Sequence, residues 1–284
     1  MIHRRRALGL IALAASSIRA QADSPRLSLT GTSLLLSGTM EQGSLVVGRT
    51  GAGAQVKADG APLDVSREGL FAFGFDWDET TPRHIDVLYS DGTTEARDVT
   101  PTVRNYEIQR INGLPEAEVT PPKDVLDRIA KEHAVVASAR TRDTDGVAFA
   151  EPFDWPAAGI VSGVFGSQRI LNGQPRAPHF GVDIAAPVGS PIYAPADAIV
   201  SNSGDFYLEG GFTLLDHGHG VSTCYMHQSK RLVAEADRVQ RGQLIGLIGQ
   251  SGRATGPHVH WGMNWFQIRL DPSRSARTPS PPPP

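Results

Sequence analysis

The sequence has almost no cysteine. Its 284 residues include only Cys224, so a disulfide within the chain is excluded. A structural zinc site is disfavoured as well, because such sites use four protein ligands that usually include cysteines. Cys224 lies in the alternating apolar stretch 221–226, which predicts a small buried side chain rather than a reactive thiol.

Long apolar segments are also missing beyond the N-terminus, where no stretch reaches the roughly 20 residues that a spanning helix needs. The first 22 residues have a basic start, an apolar run and the ending Ala20-Gln21-Ala22, which is typical of a cleavable secretory signal. Ser16, Ser17 and Arg19 interrupt the run and disfavour a membrane anchor. We therefore expect a periplasmic or otherwise exported protein, without stable membrane insertion after signal cleavage. The general and twin-arginine export routes both stay open.

An excess of positive charge is missing too. The formal net charge is −3, and without residues 1–22, which contain four arginines and no acidic residue, it is −7. Nucleic-acid binding is therefore not expected, because it requires a basic surface. The length suffices for one large or two ordinary domains, and the oligomeric state stays open.

Residues 23–100 have the pattern of a small β domain. Short alternating runs are separated by turn signals such as Asp59-Gly60 and Asp91-Gly92, and this spacing predicts an Ig-like β-sandwich. His84 begins one run and is expected to be a structural or surface histidine. The predicted strands are 33–37, 44–49, 55–58, 70–76, 84–89 and 94–99.

A linker with one helix is predicted over 101–156. The helix is expected over 121–139, because the proline pair at its start suits a helix N-terminus. Its inner side is expected to include Val125, Ile129, Ala130 and His133. Two interpretations stay open: the linker approaches the cleft of the next domain, or it packs without a role in the chemistry.

From 157 to 273 the β pattern returns, and frequent glycines and prolines leave no room for long helices. We predict an antiparallel β domain that folds on its own. Its strands are expected at 159–165, 192–201, 212–217, 221–227, 238–246 and 258–264. The segment 216–220 is predicted to be a hairpin turn with His219 exposed. The proline-rich tail, 274–284, is expected to be disordered.

A spaced set of histidines and one aspartate is the most informative feature of the sequence. The set consists of His179, Asp183, His227, His258 and His260. Catalytic zinc takes three such ligands and leaves a fourth position for water, so the set fits a hydrolase site with two spare imidazoles. Residues two apart on a strand share a face, so His258 and His260 point to one place. His179 and Asp183 can share an ion only if the chain bends, and Gly181 could permit the bend.

In these blocks the sequence resembles the LytM/lysostaphin-type zinc metallopeptidases, which cut peptide bonds in bacterial peptidoglycan. The family patterns H-x(3)-D, Y-x-H and H-x-H occur in order at 179–183, 225–227 and 258–260. The likeness extends over about 155–272, which makes it more specific than any one motif. It implies a C-terminal catalytic domain of the lysostaphin type.

The resemblance also implies a role for each motif residue. His179, Asp183 and His260 are the expected ligands of one zinc ion per chain. His227 and His258 are the expected catalytic residues, one as general base toward water and the other as a donor to the developing oxyanion. His258 is the better candidate for the base, and the sequence alone does not decide between them.

Three further residues are predicted to lie at or near the substrate. Arg169 and Asn172 precede the first motif, and a guanidinium group suits the carboxylates of peptidoglycan stem peptides. His217 is placed beside the cleft by the resemblance. The prediction is therefore an exported zinc metalloendopeptidase acting on peptidoglycan. Two alternatives stay open: a non-catalytic scaffold or activator of other cell-wall hydrolases, whose known forms have lost zinc ligands, and an endopeptidase for protein substrates.

Overall fold

The computed structural model describes residues 33–113 and 122–283. These residues fall in one compact unit, Gly31–Pro284. The predicted signal, residues 1–22, lies outside them, as does Pro121 at the expected start of the helix. Across the described ranges, no helix is both long and apolar enough to cross a membrane.

Seven strands form two antiparallel sheets in the N-terminal region. They are β1 (Leu35–Ser37), β2 (Leu45–Arg49), β3 (Gln55–Ala58), β4 (Ala61–Leu63), β5 (Leu70–Gly74), β6 (Arg83–Leu88) and β7 (Thr94–Val99). The sheet orders are β1-β2-β5 and β4-β3-β6-β7. The six predicted strands are confirmed, and β4 is an additional strand that pairs with β3 across the Asp59-Gly60 turn.

Alternation places one side of these strands in a core. Val56 on β3 and Ile85 and Val87 on β6 are buried, whereas the residues between them are exposed or half-buried. They belong to the same apolar cluster as Val46 on β2 and Phe73 on β5, so the two sheets share a core. The Ig-like topology stays a prediction.

The remaining strands build the C-terminal region. They are β8 (Ile108–Ile111), β9 (Ile160–Gly163), β10 (Gln168–Leu171), β11 (Gln174–Pro175), β12 (Val182–Ala185), β13 (Pro191–Tyr193), β14 (Ala198–Phe206), β15 (Gly210–Asp216), β16 (Val221–Gln228), β17 (Lys230–Arg231), β18 (Arg238–Val239), β19 (Leu244–Leu247), β20 (His258–Trp265) and β21 (Ile268–Leu270). The main sheet has the order β18-β14-β15-β16-β20-β12-β9, with β21 paired to β20, and a smaller sheet has the order β13-β19-β17. All pairs in both sheets are antiparallel, as predicted.

A third sheet joins the two regions. The β10–β11 hairpin pairs with β8, and the β8–β10 pair is parallel. This pairing was not predicted, because it joins short segments that are far apart in the chain and have no alternation of their own. The pairing places Arg169, which precedes the first motif, on strand β10 rather than in a loop.

One helix, α1 (Lys123–Ala139), confirms the predicted helix. Ile129 and Val136 are its buried residues, so the prediction that Ala130 and His133 lie on the inner side is wrong. The inner side continues through Val136 instead, seven residues after Ile129, which is two helical turns. Lys123–Asp127 and Arg128–Glu132 ion pairs stabilise the outer side only weakly, since exposed i,i+4 pairs contribute little.

The N-terminal region packs directly against the C-terminal strands. Arg104 donates to the buried carboxylate of Asp271 at 2.9 Å. Trp77 and Tyr106 join Phe165 and Phe180 in an aromatic cluster, with neighbouring ring centroids 6.1 to 6.4 Å apart. Core residues of both regions lie in one apolar cluster. This shared core disfavours the expectation that the C-terminal domain folds on its own, and that expectation stays to be tested by truncation.

Two local predictions are also corrected. The 216–220 hairpin turn is present, but His219 is buried rather than exposed: its Nδ1 donates to the carbonyl of Asp64 at 2.9 Å, and its ring contacts Phe149. The described part of the C-terminal tail is held in place, because Gly159 donates to the carbonyl of Pro282 at 3.0 Å. Trp155 likewise donates to the carbonyl of Thr278.

Candidate metal centre and active site

Strands β12 and β20 bring two of the predicted ligands together. Asp183 and His260 are directly opposite each other in this antiparallel pair, which places their side chains on one face. His260 Nδ1 lies 2.9 Å from Asp183 Oδ1. His179, just before β12, places its Nε2 3.0 Å from the same oxygen and 2.9 Å from His260 Nδ1. All three residues are buried.

This triangle of donor atoms fits a tetrahedral cation. Zinc with ligand bonds of about 2.0–2.1 Å separates its ligand atoms by about 3.3 Å, so the triangle needs to open only slightly. The Nδ1 of His179 donates to the carbonyl of Val164 at 3.1 Å, which leaves Nε2 of the neutral ring as a lone-pair donor facing the triangle. Within 33–113 and 122–283, these three residues are the group whose ligand atoms converge in this way.

Two glycines make room for the triangle. A Cβ on Gly181 would lie 2.5 Å from the His260 ring, and one on Gly163 would lie 2.5 Å from Asp183 Oδ2. The chain bends at Gly181, as predicted, although its backbone is not left-handed. Gly181 is required because the His260 ring lies directly against its backbone.

His227 and His258 are neighbours beside the triangle, with ring centroids 4.6 Å apart, and both line one chamber with Asp183. His258 Nδ1 donates to the carbonyl of Gly256, and His227 Nδ1 donates to the carbonyl of Ser251, both at 2.8 Å. Because Nδ1 of each ring is engaged by a carbonyl, Nε2 is the ring nitrogen left for other partners. His258 Nε2 lies 3.7 Å from Asp183 Oδ1. The predicted placement of His258 and His260 on one side is confirmed.

The backbone of His227 is unusual. It has φ of 64°, a left-handed conformation that is uncommon outside glycine, and it lies near the end of β16. Its N–H donates to the carbonyl of Glu209 at 2.7 Å. These contacts fix the ring toward the triangle instead of continuing the alternation of the strand.

Burial sets the protonation states. It lowers the pKa of His227 to about 3, assisted by the nearby imidazoles of His258 and His260, and lowers the pKa of His260 to about 4 against the opposing hydrogen bond to Asp183. Burial alone would raise the pKa of Asp183. The adjacent imidazoles of His179 and His260 outweigh this effect and hold the pKa of Asp183 well below its ordinary value. At neutral pH Asp183 is thus ionised and His227 and His260 are neutral, and metal ligation requires these states of Asp183 and His260.

Arg169 lies on β10 and contacts the triangle itself. Its Nη2 donates to Asp183 Oδ2 at 3.1 Å, so the carboxylate offers only its other oxygen to the two histidines. Burial lowers the pKa of Arg169, although the adjacent Asp183 opposes the shift. Arg169 also lines the cleft, so its predicted contact with substrate is compatible with its position and stays a prediction.

The cleft has two chambers that meet at this site. One, of about 270 Å³, is lined by Asp183, His258 and the loop 253–257. The other, of about 470 Å³, is lined by His179, His260 and the C-terminal half of α1. Arg169 and His227 line both. An extended substrate could therefore cross the donor triangle, with a segment in each chamber.

The other predicted substrate residues lie elsewhere. His217 is buried in the core, where its Nδ1 donates to the carbonyl of Asp197 and its Nε2 accepts from Thr223. Its predicted place beside the cleft is therefore corrected. Asn172 lies at the tip of the β10–β11 hairpin with φ of 46° and does not line either chamber, so its contact with substrate stays a prediction.

Helix α1 contributes cleft residues that the sequence did not indicate. Val136, Ala137 and Arg140 line the larger chamber, and of the two interpretations of the linker it is the approach to the cleft that is confirmed. Glu209 and Arg269 line it as well. Only the packing of a distant helix against the main sheet reveals these residues, because no motif includes them.

Comparison with known proteins agrees with this geometry. Residues 177–272 match the sequence profile of peptidase family M23. This segment belongs to that family. It contains His179, Asp183 and all three of the other motif histidines, so the family resemblance predicted from the motifs is confirmed.

Two curated relatives come from Vibrio cholerae serotype O1. Peptidoglycan DD-endopeptidase ShyA is 44% identical over 85 residues, which are 30% of this chain and 20% of that protein. Peptidoglycan DD-endopeptidase ShyC is 41% identical over 103 residues, which are 36% of this chain and 24% of that protein. The match thus spans about a fifth to a quarter of the length of these relatives.

A solved structure extends the likeness beyond the M23 segment. A Pseudomonas aeruginosa protein assigned to peptidase M23 superimposes with a TM-score of 0.63 and 28% sequence identity. The match covers 83% of this chain and 94% of that protein. The arrangement of most of the chain, and not only of the M23 segment, therefore has a counterpart in a known structure.

Proposed function

We propose that this protein is an exported zinc-dependent endopeptidase that hydrolyses peptide bonds in bacterial peptidoglycan. The observation that carries the proposal is the buried His179–Asp183–His260 triangle, which opens onto two free imidazoles between two chambers. The M23 relatives named as peptidoglycan DD-endopeptidases support the substrate class. Export rests on the signal pattern of residues 1–22.

His179, Asp183 and His260 would hold the zinc ion, one per chain. Zinc bound there would act as a Lewis acid toward the scissile carbonyl and would make a water molecule acidic enough to react near neutral pH. Arg169 holds the second carboxylate oxygen of Asp183, and Val164 holds the far nitrogen of His179. These contacts fix the orientation of the ligands before the ion arrives.

His227 and His258 supply the proton transfers. Their Nδ1 atoms are engaged by backbone carbonyls, so the free Nε2 of each can accept a proton from the attacking water or donate one to the substrate. A ring that is protonated in this way becomes a donor to the developing oxyanion. Burial keeps His227 neutral in the resting site, because its pKa is about 3.

The test is digestion of purified peptidoglycan by the mature protein, with mass analysis of the products and metal analysis of the enzyme. We expect one zinc per chain and products with newly cleaved peptide bonds. His179→Ala, Asp183→Ala and His260→Ala should each abolish tight zinc binding, whereas His84→Ala, which changes an exposed histidine distant from the site, should not.

Three outcomes would contradict the proposal. Stoichiometric zinc in all three ligand variants would remove the metal assignment. A zinc-loaded protein that releases no peptidoglycan fragment would favour the scaffold or activator alternative. Cleavage of denatured casein without cleavage of peptidoglycan would favour a protein substrate.

A further inference from the structure

The larger chamber is unusually rich in guanidinium groups. Its lining includes five arginines: Arg140, Arg169, Arg176, Arg253 and Arg269. The described acidic residue on this lining is Glu209, and it forms an ion pair with His133 at 3.5 Å. Arg140 and Arg269 lie close enough for the positive charge of Arg269 to lower the pKa of Arg140.

Arg140 and Arg269 form part of the wall of the larger chamber. Arg140 follows the last residue of α1 and is only 6% exposed. Its Nε is buried without a hydrogen-bond partner, although Cys224 contacts its side chain. Across the ranges that the structure describes, neither guanidinium forms an ion pair with a carboxylate.

Both groups stay charged under ordinary conditions. Burial lowers the pKa of Arg140 to about 10, with a contribution from the nearby positive charge of Arg269, and burial lowers the pKa of Arg269 too. A pKa of about 10 still leaves the guanidinium protonated at neutral pH. Arg140 is buried and Arg269 is half-buried, and neither forms an ion pair, although the carboxylate of Glu209 acts on both and that of Asp76 acts on Arg269. A bound anion would therefore relieve both the desolvation and the mutual repulsion of the two guanidinium groups.

The geometry of the wall is suited to a planar anion. The guanidinium of Arg269 stacks on the Phe180 ring, with its carbon 5.2 Å from the ring centroid, which restricts its orientation. Phe180 directly follows the predicted ligand His179 in the chain. A guanidinium group binds a carboxylate through two parallel hydrogen bonds, one to each carboxylate oxygen. A neutral amide has only one acceptor oxygen and cannot form this pair.

We propose that Arg140 and Arg269 form a carboxylate-binding subsite that anchors a peptide substrate in the larger chamber, with the scissile bond at the His179–Asp183–His260 triangle. This inference rests on the proposed function for the identity of the substrate. It extends the site to a helix outside the family-matched segment 177–272. The carboxylate can come from the C-terminus of a stem peptide or from a position along it.

Binding to the metal-free protein tests the subsite without any catalysis. Three synthetic stem peptides are compared by calorimetry: one with free carboxylates, one amidated at the C-terminus and one amidated at its other carboxylates. We expect one of the two amidated peptides to bind roughly 10- to 100-fold more weakly than the peptide with free carboxylates, because it loses a charge-assisted hydrogen bond. The amide that weakens binding identifies the source of the carboxylate.

Variants then assign the effect to the two arginines. Arg140→Gln and Arg269→Gln should each reduce the preference for the free acid, and the double variant should bind acid and amide equally. Arg140→Lys keeps the buried charge, so it remains informative if the neutral variant fails to fold; it should lose part of the preference, because lysine cannot bind bidentately. Lys131→Gln removes a positive charge from the exposed side of α1 and should leave the preference unchanged.

The same peptides and variants are assayed for cleavage by the zinc-loaded enzyme. If wild type binds the free acid through Arg140 and Arg269 but cleaves no peptide, the proposed function fails and the subsite stands. If wild type cleaves acid and amides at the same rate and binds them equally, the proposed function stands and the subsite is overturned. Retention of the full preference by the double variant would also overturn it.

Discussion

The imidazole of His260 lies directly against the backbone of Gly181, where a Cβ would come within 2.5 Å of the ring and 2.6 Å of the carbonyl of Trp261. Because Gly181 has no side chain, the His260 ring can occupy the space that it needs beside the other two predicted ligands. Since β12 and β20 are buried partners in the main sheet, neither backbone can move away freely.

Gly181→Ala should accordingly displace His260 from the triangle. We expect zinc affinity to fall and the metal-free protein to lose roughly 1–3 kcal/mol of stability, as overpacking of a filled interior does. Metal competition with a chelator and urea unfolding measure the two effects. Gly51→Ala is the matched control, because its Cβ would meet nothing closer than 4.0 Å. An alanine variant with unchanged zinc affinity would show that His260 is not a ligand.

The two facing imidazoles should have a different phenotype from the ligands. His227→Gln and His258→Gln should keep stoichiometric zinc and lose at least ~100-fold in hydrolysis, the lower end for removal of a positioned acid–base group. Metal analysis and peptide cleavage are measured on the same preparations. Loss of zinc in His258→Gln alone would mean that His258, rather than His260, is the ligand. Wild-type turnover in either variant would assign that histidine a structural role.

Buried His217 makes stability depend on pH. Burial lowers its pKa to about 4 in the folded protein, whereas the unfolded value is about 6.5. Because the folded pKa is the lower one, the stabilisation is complete above pH ~6.5 and is lost as the pH falls toward 4, a change of about 3 kcal/mol.

Urea unfolding of the metal-free protein at several pH values checks this prediction. His217→Gln should be less stable than wild type at pH 7, since Thr223 and the Asp197 carbonyl lose their partner. Its stability should nevertheless fall less steeply between pH 7 and 4. Parallel pH curves for the two proteins would contradict the assignment. Zinc is left out, because protonation of the ligands would add its own pH dependence.

The sequence predicted the metal triangle because chemistry restricts which residues can serve as ligands. His179, Asp183 and His260 are separated by fixed motif spacings, and strand alternation alone places His258 near His260. Most strands of both regions were predicted for a similar reason: alternation and turn residues are local signals that the final packing reinforces. Two predictions were wrong, because the expected strands 192–201 and 238–246 are each divided between the main sheet and the smaller sheet.

Features that depend on distant contacts were missed. His219 has glycine on both sides, and only the approach of the Asp64 carbonyl makes it a buried residue. Arg140 follows an ordinary amphipathic helix, and nothing in its neighbourhood indicates a cleft. The β8–β10 pair has no periodic pattern and forms because the N-terminal region docks there. Such pairings are set by tertiary structure and not by local preference.

The last prediction concerns removal of the N-terminal region. A protein that starts near Phe153 loses Arg104, which leaves the buried carboxylate of Asp271 with only the more distant Arg274, 4.0 Å away. It also loses Tyr106, which covers Gly166 and the Phe165 ring. Breaking a buried ion pair by removing one partner alone costs about 3–5 kcal/mol, a large part of the stability of a typical domain. We therefore expect the truncated protein to be poorly soluble or to unfold at a markedly lower temperature than the full mature chain.

Thermal unfolding of the truncated protein and of the full mature chain measures this difference. Cleavage of intact peptidoglycan and of short stem peptides by both proteins is then compared. A segment that merely restricts access to the cleft would give the opposite result, a truncated protein of equal stability that cleaves both substrates faster. A truncated protein that is stable but slower only on intact peptidoglycan would instead indicate a role in wall binding. Loss of stability together with slower cleavage of short peptides would show that the N-terminal region and α1 complete the active site.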